Sequence, residues 1–535
     1  MNPLRLDRNE GALPPAALLK ALAGLDPEVL RRYSDASALE SALAGRFGVA
    51  PGRVIVTAGA DEAIDRACRA YLAPGRTMLL AEPTFEMFDH FATLAGASLR
   101  RVAWRDGPFP LAGFLAQLHD RPSIITVVSP NNPTGDVVSA PDVRRLAQAA
   151  PAALLLLDHA YVEYADEDLT AAVLDLPNVL VVRTLSKAWG LAGCRIGYAI
   201  GSPEVVARLR AAGAPYPVAA PSVALALRQL ADGDAALRAH VATVREERRD
   251  LYARLTALWL EPSPSQANFI LVECGAHFPL LEAGLAALGV VVRTFPDRPG
   301  LTSALRITLP GNAAAFEQLV SALETVLAPE ALLFDLDGVL ADVQHSQRAA
   351  IAATAQSFGV AVTSAQVAAA IRSGDAANDW VVTRRLIEAG GCGASLDDVT
   401  ERYQPLYLGL RERERLIPPS PLLQQFAARL PLAIVTGRPR AEAQWFLERA
   451  GIAPLFSTVI TMDDAPPKPD PAPVRLALER LGVRRAWMIG DTPDDMRAAA
   501  RAGVLPLGIA APGDDAPAGG AWVLDHLTDL LELLP

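Results

Sequence analysis

Thr184-Leu185-Ser186-Lys187-Ala188-Trp189-Gly190-Leu191-Ala192-Gly193-Cys194-Arg195-Ile196-Gly197 follows an apolar run, Val179 to Val182, that is too short for a helix and reads as a buried strand. Within about three helical turns' worth of chain it offers a hydroxyl, an amine, several glycines and a guanidinium. Burial among apolar and small neighbours disfavours the ammonium form of a lysine, and a lysine so placed can condense with a carbonyl as a Schiff base. Ser186 and Arg195 suit a phosphate, the arginine as a bidentate fork. Read alone, the Ser-Lys pair fits a surface lysine after a strand at least as well. The flanking chain separates the two readings.

That run, Leu180-Val181-Val182, is the last of a series: Val54-Ile55-Val56, Met78-Leu79-Leu80, Ile124-Ile125-Thr126-Val127-Val128 and Leu154-Leu155-Leu156-Leu157 precede it. Ala/Leu/Arg-rich helical stretches separate them, which predicts a mostly parallel sheet covered on both faces. Ligands of such sheets sit at the carboxyl ends of the strands. Polar motifs stand there. Thr57-Ala58-Gly59-Ala60-Asp61-Glu62 is a glycine turn opening a helix, whose first amides suit a phosphate or simply a capped helix start. In Glu82-Pro83-Thr84-Phe85-Glu86, Phe85 either stacks on a planar ring or packs in the core. Ser129-Pro130-Asn131-Asn132-Pro133-Thr134-Gly135 is a rigid turn that aims two amides. Asp158-His159-Ala160-Tyr161 places an acid at a strand end, where it can keep a pyridine nitrogen protonated. Together with Lys187 these parts point to a pyridoxal-phosphate lysine.

Asn131-Asn132-Pro133-Thr134-Gly135, Asp158-x-Ala160-Tyr161, Ser186-Lys187 and Arg195, in this order and spacing, resemble a fold-type I aminotransferase, and more narrowly the histidinol-phosphate aminotransferase group. Arg32-Tyr33, Gly59 to Glu62, Ala214-Pro215-Tyr216-Pro217 and Leu305-Arg306-Ile307-Thr308 resemble local patterns of the same group. The resemblance implies a large cofactor domain at about 30–213, and a small α/β domain made of 1–29 and 214–328. It implies that Lys187 binds the cofactor covalently and moves the substrate proton. Asp158 would pair with the ring nitrogen, Asn132 and Tyr161 with the ring oxygen, and Phe85 would stack on the ring. Ser186, Arg195 and the amides of Ala60 and Asp61 would hold the phosphate. Asn268, Arg293 and Arg306 would bind the acidic group of the substrate. In the family the tyrosine matching Tyr33 arrives from the second subunit, so a homodimer with shared sites is implied. Three departures stand out: Asn9-Glu10 begins almost at the start where relatives carry an arm and a substrate tyrosine, His159 replaces a glutamate, and Ser34 replaces a proline. His159 reads as a supporting residue and not a catalyst.

The helix expected at about 316–327 ends at Ala328-Pro329-Glu330, and a strand starts at once at Ala331-Leu332-Leu333-Phe334. No flexible linker intervenes, so close docking is expected. Asp335-Leu336-Asp337-Gly338 then places two carboxylates at a strand end, where their repulsion calls for a hard cation such as Mg²⁺. Downstream stand Thr436-Gly437 after a strand, Lys468 among prolines, and Gly490-Asp491-Thr492-Pro493-Asp494-Asp495. These motifs resemble the haloacid dehalogenase superfamily of phosphatases over about 329–535, with the helical stretch at about 342–428 as its cap. The resemblance implies Asp335 as nucleophile and Asp337 as general acid and base. It implies Thr436 and Lys468 at the transferring phosphoryl group, and Asp335, Asp337, Asp491 and Asp495 at the metal. Trp380, Arg372 and Arg384 of the cap read either as contacts to the leaving group or as an ordinary solvated helix face.

With 535 residues, 51% hydrophobic and 20% charged, the chain predicts a globular protein of two to four domains. A net charge of −11 argues against nucleic acid or anionic membrane as partners. Cys68, Cys194, Cys274 and Cys392 form no C-x-x-C pair and read as reduced thiols. No apolar leader and no run of the roughly 18 residues a membrane span requires is visible, so a cytoplasmic protein is expected. The leading expectation is a fused enzyme that transaminates imidazole-acetol phosphate with glutamate and then hydrolyses the resulting histidinol phosphate. Two readings stay open beside it. One keeps both chemistries, or a decarboxylase, on another phosphorylated or carboxylated amino compound. The other gives the second domain a docking role without turnover.

Overall fold

The computed structural model describes residues 3–374 and 378–534. By compactness the chain divides into two units: one holds 5–275 and 292–317, the other 1–4, 276–291 and 318–535.

The first unit is built on a seven-stranded sheet in the order Val54–Thr57, Gly197–Ile200, Val179–Thr184, Leu154–Asp158, Ile124–Val128, Thr77–Glu82, Ser98–Ala103. All neighbours are parallel except Gly197–Ile200, which runs against both strands beside it. The central strands are buried along their whole length because helices cover both faces, which is why their sequences are continuous Val/Leu/Ile runs. Core side chains form separate clusters above and below the sheet. The edge strand Ser98–Ala103 is the exception: its sequence, SLRRVA, leaves most positions exposed. A second, antiparallel group pairs Phe269–Glu273 with Ala304–Thr308 and sets Arg293 opposite Arg306.

The second unit contains a six-stranded sheet in the order Phe456–Ile460, Leu432–Val435, Ala331–Phe334, Ala486–Gly490, Leu505–Ile509, Trp522–Leu524. Every pairing in it is parallel. The helices Gln347–Ser357, Ser364–Arg372, Asp379–Ala389 and Leu396–Leu410 follow the first strand and pack on one another around Ile351, Val367, Val382, Tyr403 and Tyr407. The helix Phe278–Ala287 and the part of the helix Ala313–Leu327 from residue 318 on also belong to this unit. Trp487, at the centre of the sheet and fully buried, donates its indole N–H to the Thr325 carbonyl at 2.8 Å. A side chain at Gly284 would meet Val326 at 2.7 Å and Leu505 at 3.1 Å, so the first of these helices touches both the second and the sheet.

The four cysteines are free; burial pushes the thiols of Cys68 and Cys274 up to about 12. Among the described residues no helix is long and apolar enough to cross a membrane.

Candidate active sites

In the first unit the chemistry collects at the carboxyl ends of the central strands. Asp158 ends Leu154–Asp158, and Ser186 and Lys187 follow Val179–Thr184. Ala60, Asp61, Phe85, Asn132, Asp158, Tyr161, Ser186, Lys187 and Arg195 line one cavity of about 140 Å³. The helix Ala60–Tyr71 points its first amides into it from Gly59. A side chain at Gly197 would sit 2.2 Å from the Gly59 backbone, so only glycine lets the strand Gly197–Ile200 pass this close beneath the helix start. Arg195 lies 3.1 Å from Asp61. The Ser186 hydroxyl is buried and has no hydrogen-bond partner among the described residues. A helix N-terminus, an arginine and an orphaned hydroxyl fit a phosphate. Burial pushes the Asp158 carboxyl up to about 7, against the Ala160 N–H that it accepts and the charge of Lys187, with Asp61 adding to the rise. Such a carboxyl fits a protonated ring nitrogen.

A second cavity of about 250 Å³ shares Phe85, Asn132, Tyr161 and Lys187 with the first and adds Asp7, Glu86, Arg8, Arg293, Arg298 and Arg306. Arg306 is buried, and it donates to Asn132 Oδ1 and, at 2.9 Å, to the Asp7 carbonyl. Its Nε has no partner. Arg293 faces Glu86 at 3.4 Å. Lys187 Nζ donates to the Arg8 carbonyl at 3.1 Å and stands 5.6 Å from the centre of the Tyr161 ring. The Tyr161 hydroxyl accepts from Asn9 Nδ2 at 3.0 Å, and Asn9 Oδ1 accepts from Thr308 at 2.8 Å. Arg8, Asn9 and Arg298 were not among the expected site residues. For Asn9 the signal was present in the Asn9-Glu10 motif.

Two expected residues stand apart from these cavities. Asn268 lines neither; its amide donates to the carbonyls of Asn9 at 3.3 Å and Glu10 at 3.4 Å, so it steadies the segment that carries Asn9. Tyr33 is 82% exposed and stacks on Tyr216 with ring centres 4.6 Å apart, outside the cofactor cavity of its own chain. His159 is buried beside Thr170 at 3.3 Å, and burial together with Arg183 lowers its pKa to about 3, so the ring is neutral and supporting.

In the second unit a cleft forms at the carboxyl end of its sheet. Asp335 follows Ala331–Phe334, Asp491 follows Ala486–Gly490, and Lys468 reaches in between them. Gly338 turns the chain at φ 75°, and a side chain there would meet Asp491 at 2.0 Å. Asp335, Asp491 and Asp495 each bring a carboxylate oxygen within 4.8 Å of the others. Lys468 Nζ lies 2.8 Å from Asp335 and 2.5 Å from Asp495. Asp495 is placed by a capping box, accepting from the Thr492 N–H at 3.0 Å while Thr492 Oγ1 accepts from Asp495 N at 3.3 Å. Burial pushes Asp335 up to about 7, with Asp495 repelling it and Lys468 opposing; burial and Asp335 raise Asp491 well above the usual range. Asp491 Oδ1 is buried without a hydrogen bond to any of the described residues. Oxygen ligands that raise one another's pKa and leave an orphaned oxygen fit a hard divalent cation.

Asp337 departs from the expected metal set. Its carboxylate stands outside the cluster because Arg438 holds it, Nε to Oδ1 at 2.8 Å, although it still lines the cleft. Thr436 is buried beneath the loop, its hydroxyl accepting from Arg438 N at 3.2 Å, and does not line the cleft. Of the cap residues singled out, Trp380 lines the cleft. Arg372 pairs with Asp515 at 2.6 Å and Arg384 with Glu388 at 3.4 Å, and neither lines it. Arg438, Asp379 and Glu442 line the cleft and were not anticipated.

Residues 2–323 match the family model of aminotransferase class I and II, and residues 329–503 match that of haloacid dehalogenase-like hydrolase. The chain is 35% identical over 308 residues to a histidinol-phosphate aminotransferase of Pectobacterium carotovorum subsp. carotovorum (strain PC1), spanning 56% of this chain and 85% of that protein. It is 38% identical over 319 residues to the protein of the same name from Xanthomonas euvesicatoria pv. vesicatoria (strain 85-10), spanning 56% of this chain and 86% of that protein. The crystal structure of histidinol-phosphate aminotransferase from Sinorhizobium meliloti in complex with pyridoxal-5'-phosphate is similar at a TM-score of 0.56 and 28% identity, over 61% of this chain and 91% of that one. The chain thus belongs to the class I and II aminotransferases, a family whose membership implies pyridoxal phosphate, and its C-terminal part is a haloacid dehalogenase-like hydrolase, making it a transaminase joined to a phosphatase.

Proposed function

We propose that the protein carries out two consecutive steps of histidine biosynthesis: transamination of imidazole-acetol phosphate with glutamate to histidinol phosphate, and Mg²⁺-dependent hydrolysis of that ester. The observation that carries the first step is the cavity next to Lys187, with Arg8, Arg293, Arg298 and Arg306 on its wall. Arginine forks suit the phosphate of one substrate and the carboxylates of the other.

Pyridoxal phosphate, when bound, supplies an electron-withdrawing ring conjugated to the substrate nitrogen. The chain's own residues do the rest. Lys187 would move the proton between the substrate carbon and the cofactor. Asp158 would keep the ring nitrogen protonated, Asn132 and Tyr161 would bond the ring oxygen, and Phe85 would cover the ring. Ser186, Arg195 and the amides of Ala60 and Asp61 would hold the phosphate. In the second site Asp335 attacks phosphorus, and Asp337 gives a proton to the leaving oxygen and then takes one from water. Lys468 neutralises the transferring group, with Thr436 supporting its loop. Asp335 and Asp491, with Asp495 beside them, would hold Mg²⁺, whose charge would offset theirs toward an anionic phosphate.

The protein acts in the cytoplasm as a homodimer in which Tyr33 serves the partner's cofactor site; the exposure of Tyr33 and its place outside the lining of its own cavity support the shared site. A steady-state assay tests the whole reading. Purified protein given imidazole-acetol phosphate, glutamate and Mg²⁺ should yield 2-oxoglutarate, histidinol and inorganic phosphate. No histidinol under these conditions refutes it.

A further inference from the structure

The hydrolase cleft carries two acidic side chains besides Asp337 and the Asp335, Asp491 and Asp495 cluster. Asp379, from the cap helix Asp379–Ala389, and Glu442, from Arg440–Arg449, line it together with Trp380, Asp335 and Asp337. The Asp379 carboxylate accepts one hydrogen bond, from the Tyr403 hydroxyl at 2.6 Å; that of Glu442, only 8% exposed, accepts one from Gln404 Nε2 at 2.6 Å. Among the described residues neither has an ion-pair partner, and each keeps an oxygen without a donor. The cations of the cleft are committed elsewhere. Arg438 donates to Asp337, Glu414 and Tyr407, Lys468 holds Asp335 and Asp495, and Arg348 pairs with Asp514 at 2.6 Å. Burial and Asp337 raise the Asp379 carboxyl to about 7, with Glu442 adding to the rise and Arg438 opposing it, and burial raises Glu442 as well.

Two half-bonded, partly desolvated carboxylates lack a cation among the described residues, and with Mg²⁺ assigned to Asp335 and Asp491 the arriving ester is the component left to bring one. Trp380 lines the same cleft, and an aromatic ring there can add a cation–π contact to the same charge. We infer that Asp379 and Glu442 bind the ammonium group of an amino-alcohol phosphate, making this hydrolase selective for phosphate monoesters whose leaving alcohol carries a protonated amine. The inference rests on the cleft being a phosphatase site and adds its substrate class. It also orders the two reactions: a keto phosphate has no ammonium to offer, so hydrolysis follows amination and the unaminated ester is spared.

O-phosphoethanolamine and propyl phosphate differ by an ammonium against a methyl group and are the probes. With wild-type full-length protein and Mg²⁺, kcat/KM for the amine ester should exceed that for the neutral ester at least about tenfold, carried mainly in KM. Asp379→Asn and Glu442→Gln, each checked for folding by circular dichroism, should bring the ratio toward one. If one variant fails to fold, the other together with the wild-type ratio still decides. Equal kcat/KM for the two esters in the wild type, or an unchanged ratio in the folded variants, overturns the inference while leaving the phosphatase reading intact. Hydrolysis of neither ester overturns both.

Discussion

Arg438 Nε lies 2.8 Å from Asp337 Oδ1 while Nη1 of the same guanidinium lies 3.0 Å from Glu414 Oε2. One cation thus holds the expected general acid and a second, fully buried carboxylate. Arg438→Met leaves both without a counter-charge, and breaking a buried pair in this way costs about 3–5 kcal/mol. The expected result is a lower urea midpoint for the C-terminal unit together with slower phosphate release. Arg438→Lys should restore little of either, because an ammonium cannot span two carboxylates as a planar fork does.

Lys187→Ala should abolish transamination and remove the visible absorbance that the wild type gains on addition of pyridoxal phosphate. The measurement is a spectrum before and after cofactor addition. Phosphate release should continue in the same variant, since the residues proposed for that step belong to the other unit.

Asp158 predicts a pH effect of definite sign. Its carboxyl has an ordinary value of 3.8 and lies at about 7 in the folded apoprotein. The folded state therefore holds a proton that the unfolded chain has released, and the stability this contributes is lost as pH rises from the first value through the second. Above it the buried charge is a standing cost on the order of a few kcal/mol. Asp158→Asn apoprotein should accordingly melt higher than wild-type apoprotein at pH 8, with a smaller difference at pH 5, while binding pyridoxal phosphate more weakly. A melting difference independent of pH would refute this.

Metal removal tests the second site directly. Treatment with a chelator should stop phosphate release, and Mg²⁺ should restore it. Asp491→Asn should raise the Mg²⁺ concentration needed for half-maximal rate by about tenfold or more, as expected on losing a charged ligand.

The strands that carry Asp158, Lys187, Asp335 and Asp491 were legible because each is buried on both faces and therefore written as an unbroken apolar run. Ser98–Ala103 was not, since an edge strand rich in arginine looks like a solvated segment. Gly197–Ile200 was hidden by its place behind a glycine and an arginine loop, and its antiparallel direction is set by partners far away in sequence. Apart from Tyr33, the expected cofactor residues share a cavity because they follow successive strand ends. What sequence could not supply were the long-range bonds: Asn9 reaches Tyr161 and Thr308 across 152 and 299 positions. Arg438 escaped for a different reason. It directly follows Thr436-Gly437, but an arginine after a motif carries no sign that it will be buried against Asp337.

The bond from Trp487 to the Thr325 carbonyl means that the boundary visible in the sequence is the wrong place for scissors. A fragment beginning at 329 would lose the partner of its most deeply seated indole and bare the apolar flank that Val326 and Gly284 otherwise share with Leu505. Expressed alone, such a piece should aggregate or melt well below the intact chain in a thermal scan. The phosphatase has borrowed part of its interior from helices encoded upstream, so gene fusion here has become structural dependence and not mere proximity.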